Sequence, residues 1–109
     1  MNLRKRHIVF DRQLAKELRN GKIKNWWLSF CDPDRPKGSQ FLGVIITQAC
    51  GAAHAIQKTH DLGINPGGEV FLVETDETNL EYFDRFLTQE ELGAIGFDLV
   101  SPFDEYVAI

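Results

Sequence analysis

The sequence predicts an α+β domain: a small mixed sheet of three to four strands, with one strand-helix-strand crossover and short flanking helices. Three observations carry this prediction. Residues 25–31, 41–47 and 69–75 are short apolar runs of strand length. A segment rich in small apolar residues, about Gly51 to Asp61, lies between the second and third runs and has helical spacing. Thr88-Gln89-Glu90-Glu91 is a capping box, with Leu87 and Leu92 placed as its hydrophobic staple, so a further short helix starts there and stops at Gly96. With 109 residues, 43% of them hydrophobic and 11% aromatic, the chain fits one domain, 1–109, with a core large enough to fold without disulfides.

Residues 12–19 read as a surface helix. Asp11 can cap it, Leu14, Ala15 and Leu18 form a narrow apolar stripe, and Asn20-Gly21 stops it. In the strand at 25–31, Trp26, Leu28 and Phe30 face one way and Trp27, Ser29 and Cys31 the other. The polar, proline-containing stretch 32–40 then turns the chain, so that 25–31 and 41–47 pair antiparallel. Residues 41–47 are apolar on both faces, which suits a central strand covered on both sides. The helix at 51–61 offers Ala52, Ala53 and Ile56 to the sheet, with His60 one turn beyond Ile56 as a core histidine. Leu62-Gly63 ends it, and Asn65-Pro66-Gly67-Gly68 turns into the strand 69–75, giving a parallel crossover unit. Residues 76–87 carry no clear pattern. The tail from Phe97 to Ile109 reads as extended and apolar enough to pack on the body or on a second subunit.

The net charge of −4 is unevenly spread. Residues 1–24 hold eight basic and two acidic side chains, whereas residues 69–105 hold eleven acidic ones and Arg85 as the lone base. An acidic body repels phosphates, which disfavours nucleic acid as a partner. Opposite charge at the two ends, the aromatic content and the apolar tail together predict a homo-oligomer. No apolar run reaches the roughly 20 residues of a membrane span. The basic start is followed only by Ile8-Val9-Phe10, too short for a signal-peptide core. Cys31 and Cys50 form no CxxC pair and read as buried thiols. The expected location is the cytoplasm.

Three places can hold a ligand. In the turn Asn65-Pro66-Gly67-Gly68, glycines permit positive φ and close approach, and successive amides of such a turn can cradle an anion. An economical helix-to-strand connection explains the same residues. The helix start Cys50-Gly51-Ala52-Ala53-His54 offers unsatisfied amides and positive dipole to a phosphate or carboxylate, with His54 as a donor. A small-residue packing patch is the competing reading. Trp27 beside Ser29 makes a stacking wall with a polar handle, although core packing is the ordinary role of such a Trp. Arg35 and Lys37 add positive charge. Catalysis has less support: Cys31 with His54 or His60 has the chemistry of a nucleophile and base, but no spacing brings them together. The scattered Cys and His residues, and Asp32 with Asp34, match no metal site, and no cofactor motif is present.

The stretches Trp26-Trp27-Leu28-Ser29-Phe30, Phe41-Leu42-Gly43-Val44 and Gly63-Ile64-Asn65-Pro66-Gly67-Gly68-Glu69-Val70 resemble a group of small uncharacterised proteins from phages and mobile elements. The resemblance covers residues 25–75. It implies a phage-type accessory protein in the host cytoplasm, a setting in which such proteins counter host immunity by sequestering a nucleotide signal or by binding a defence protein. The resulting expectation is non-catalytic binding of a small, anionic, nucleotide-like ligand by Asn65, Gly67, Gly68, Gly51, His54, Trp27, Ser29, Arg35 and Lys37. The alternative is an interaction module that inhibits a host defence protein through its acidic surface.

Overall fold

The computed structural model describes the backbone of residues 3–97 and the side chains of residues 10–97. In chain order the elements are α1 (Leu3–Asn20), β1 (Lys24–Cys31), β2 (Phe41–Ala49), α2 (Ala52–Asp61), β3 (Glu69–Glu74), a single 3-10 turn (Leu80–Tyr82), β4 (Phe86–Leu87) and α3 (Gln89–Ile95). The fold is α+β, as the sequence predicts. The expected tail conformation lies outside the described residues beyond Phe97.

The sheet has the order β3-β1-β2-β4, and each neighbouring pair is antiparallel. The hairpin β1–β2 forms its centre, with Trp26 opposite Thr47 and Leu28 opposite Ile45. β3 pairs with the other edge of β1, placing Leu28 against Leu72 and Trp27 against Val73. Consequently β2 and β3 run in the same direction, as a crossover through α2 requires, but β1 lies between them. The sequence shows that α2 connects two strands; it does not show that a third strand is inserted between them.

Alternation sorts the side chains into two cores. On one face Leu28, Phe30, Ile45 and Ala49 are buried under Ala55 of α2, with Trp26, Ile56, Val70, Leu72 and Phe86 around them. On the other, Val44, Ile46 and Leu87 are buried under Leu92 of α3, with Trp27, Phe41, Tyr82, Phe83 and Phe97 at the margin. This double cover is why β2 is apolar on both faces. α3 begins with the capping box foreseen: Thr88 Oγ1 accepts from the Glu91 amide at 3.2 Å, and Gly96 ends the helix in the left-handed region at φ 100°. The staple residues Leu87 and Leu92 are both fully buried.

The first helix starts at Leu3, well before Asp11, so Asp11 does not cap it. His60 is exposed and belongs to no core; it lines an open cleft of about 360 Å³ with Phe10, Asp11, Ile56 and Gln57, between α1 and α2.

Candidate functional site

The start of α2 is already filled by the chain itself. Glu17 of α1 is only 9% exposed. Its Oε1 accepts from the His54 amide at 2.9 Å and its Oε2 from the Ala53 amide at 3.2 Å. Gln13, one turn earlier on α1, donates from Nε2 to the same carboxylate at 2.9 Å. Two of the unsatisfied amides of the α2 N-terminus are thus satisfied by a side chain from another helix. Close approach makes this possible. A Cβ on Gly51 would sit 2.4 Å from the Glu17 carboxyl carbon, and one on Gly21 would sit 2.2 Å from the Cys50 carbonyl oxygen. Burial pushes the Glu17 carboxyl up, but the amides of His54 and Ala53 and the Gln13 side chain outweigh it, and its pKa is lowered overall. His54 turns back instead of outward: its Nδ1 accepts from the Cys50 amide at 2.9 Å. The anion expected at Gly51 and His54 is therefore Glu17.

The Asn65–Gly68 turn lies at the opposite end of α2. Asn65 Nδ2 donates to Thr59 Oγ1 at 3.0 Å, while its Oδ1 accepts from the Gly67 amide at 2.8 Å. The Thr59 carbonyl also accepts from the amides of Ile64 and Asn65. Both ends of the Asn65 side chain are thereby occupied in holding the turn to α2. Gly67 and Gly68 have φ of 83° and 76°, and a Cβ on Gly68 would meet the Cys31 carbonyl oxygen at 2.3 Å. This contact brings the turn against the start of the 32–40 loop. Arg35 and Lys37 share that end of the sheet and are exposed. Arg35 is 3.6 Å from Asp32, and Gln40 ties the loop by donating to the carbonyls of Pro33 and Arg35.

Trp27 and Ser29 lie on the sheet face turned away from α2. Trp27 Nε1 donates to Ser29 Oγ at 2.9 Å, so the expected polar handle is used inside the protein. The indole packs edge-on against Phe97, centroids 5.1 Å apart. Trp26 faces the other core and donates from Nε1 to the Ala49 carbonyl at 3.1 Å.

The nine residues foreseen as a ligand site therefore do not converge. Asn65, Gly67, Gly68, Arg35 and Lys37 share one end of the sheet. Gly51 and His54 lie at the other end, about 15 Å away along a ten-residue helix. Trp27 and Ser29 occupy the opposite face. Nor do Cys31 and His54 meet, because they belong to opposite ends and faces. The Cys31 thiol is pushed up by burial and by the negative charges of Glu69 and Asp32, the reverse of nucleophile activation. Among the described residues no cluster of His, Cys, Asp and Glu can hold a metal ion, and no helix is long and apolar enough to cross a membrane.

A different surface stands out where β1 begins and β3 ends. Lys24 Nζ is 2.9 Å from Glu74, the Thr75 amide donates to the Asn25 carbonyl, and Asn25 Nδ2 donates to the Glu77 carbonyl at 2.9 Å. These bonds join two segments that each expose an aliphatic side chain: Ile23 is 71% exposed and Leu80 is 70% exposed. Val73, at the end of the β3 edge strand, is 38% exposed. The stretch that carries Val73 and Leu80 also holds Glu74, Asp76, Glu77 and Glu81, of which Glu74 pairs with Lys24. The sequence signal for this patch was Leu80 within an acidic stretch that lacks periodicity. No protein-family model, no curated protein and no solved structure matches this chain.

Proposed function

We propose that this protein is a protein-binding module whose acidic surface over residues 69–91 docks a basic partner, with Ile23 and Leu80 as apolar anchors. The observation that carries this reading is two aliphatic side chains, each about 70% exposed, on two hydrogen-bonded segments of which one is acidic. Exposed apolar residues inside a polar rim are the usual anatomy of a protein contact, where a few anchors supply most of the affinity. The charges contribute steering and partner choice more than affinity. Residues 69–97 carry eight acidic side chains against Arg85. The nucleotide-like ligand has less support, because its three candidate contact sets lie apart and the helix amides are taken by Glu17.

The resemblance to phage and mobile-element proteins makes a host defence protein the first partner class to assay. The test compares wild type with Leu80→Glu and Glu81→Lys in affinity capture from host lysate, with partners identified by mass spectrometry. The reading requires a captured protein that both variants lose. Identical capture by all three, together with calorimetric binding of a nucleotide from a panel, would replace it with the ligand reading.

A further inference from the structure

α1 presents two opposite faces. At 100° per residue, Arg12, Lys16 and Arg19 fall within about 60° of one another around the helix. All three are exposed. Phe10, Gln13, Leu14 and Glu17 lie on the other side, and it is there that Glu17 locks the helix to α2. The basic stripe thus points away from the body. Among the described residues, no ion pair joins α1 to residues 69–97. Lys24, in the strand that follows, pairs with Glu74, whereas Arg12, Lys16 and Arg19 form no ion pair among the described residues.

The Arg19 end of the stripe lies at the end of the molecule that carries the acidic patch. Gly21, just past α1, packs against the Cys50 carbonyl, and the chain runs from there through Ile23 into the part of β1 that holds Glu74 and Glu77. A basic stripe and an acidic patch on the same chain can complement each other across a two-fold axis. One rotation lays each stripe on the other copy's patch, so the same contact is made twice.

We infer that a second copy of this chain covers the acidic patch, each copy laying the Arg12–Lys16–Arg19 stripe of α1 over Leu80, Glu77 and Glu81 of the other. This inference names the partner for the surface identified above and rests on that reading. The Lys and Arg stems supply apolar cover for Leu80 and Ile23, and their charged heads reach the carboxylates. Nucleic acid is a poorer occupant of the stripe, because the adjoining patch is acidic and the chain carries net −4.

Sedimentation equilibrium of the full chain tests this at tens of micromolar. Wild type is expected to be dimeric in 50 mM salt and to dissociate at least about tenfold more readily in 500 mM salt. Lys16→Glu/Arg19→Glu and Glu77→Lys/Glu81→Lys are each expected to weaken the dimer at least about tenfold. An equimolar mixture of the two variants should restore a dimer. Circular dichroism checks that each variant is folded; the salt series on wild type reads the same contact without any substitution. Monomeric wild type at low salt overturns the inference, as does a dimer indifferent to salt and to both charge reversals. Monomeric wild type whose captured partner is still lost in Leu80→Glu would sink the dimer and leave the binding module standing. A salt-sensitive dimer with no patch-dependent foreign partner would keep the patch as a protein contact and remove a host protein as its occupant.

Discussion

Replacing Glu17 tests how α1 is attached. Glu17→Ala removes an acceptor from two amides at 2.9 and 3.2 Å and leaves Gln13 without its partner. A lost helix cap costs about 0.5–2 kcal/mol, and a hydrogen bond to a charged group about 1.5–3 kcal/mol. Water can enter the vacated space and recover part of this, so the expected loss is about 2–4 kcal/mol. For a domain of this size that lowers Tm by roughly 10–20 °C or more. Glu17→Gln keeps one acceptor oxygen but turns an NH2 toward an amide, and should lose roughly half as much. Urea denaturation followed by circular dichroism and Trp fluorescence measures both. The pH dependence follows from the sign of the pKa shift. Burial raises the Glu17 pKa, its hydrogen-bond donors lower it by more, and the net result lies below the ordinary 4.5. A group whose folded pKa is lowered contributes fully above its unfolded value and loses that contribution as pH falls through the folded one. The gap between wild type and Glu17→Gln should be flat near neutrality and close as pH drops below 4.5. A Glu17→Ala protein within about 0.5 kcal/mol of wild type, the range of ordinary surface substitutions, would refute the reasoning.

Two further outcomes are expected. Gly67→Ala should cost about 1–2 kcal/mol, the price of a left-handed non-glycine residue, because its Cβ would meet open space. Gly68→Ala has a similar φ but drives a Cβ to 2.3 Å from the Cys31 carbonyl oxygen, so it should unfold at clearly lower urea than Gly67→Ala; equal midpoints would show that the close approach is unimportant. Cys31 should alkylate with iodoacetamide more slowly at pH 8 than a thiol in an unstructured peptide, since burial and then Glu69 and Asp32 disfavour its thiolate. Peptide-level mass spectrometry reads this out, and alkylation as fast as the peptide's would contradict it.

The legible parts of this fold are those specified by neighbours in sequence. Thr88 and Glu91 announce α3 because both partners of the capping box lie within one turn. The alternation of Trp26, Leu28 and Phe30 announces β1, and the apolarity of 41–47 announces a strand covered twice. Distant contacts were not legible. β4 is two residues long and exists because Val44 and Ile45 offer it an edge. In the sequence Glu17 is one of two acids among the basic residues of 1–24; its role depends on Gly51 and on amides 36 and 37 residues away. The candidate site failed as a unit for the same reason. Gly51 and Gly67 are both turn-like residues near a helix end, but α2 holds those ends apart, and no local pattern records that distance.

The strand order also bears on how the chain reaches its native state. β1 and β2 are consecutive, joined by the nine-residue stretch 32–40, and they form the centre of the sheet. The innermost pairing is therefore among the first available as the chain leaves the ribosome. β3 and β4 are made later and add to opposite edges, so neither insertion of a strand nor separation of an existing pair is needed. Pairing that grows outward from a short-range hairpin keeps the loop-closure cost of each step small. Until β3 arrives, the outer edge of β1 is an unpaired strand carrying Trp26, Leu28 and Phe30, a template on which another chain can pair.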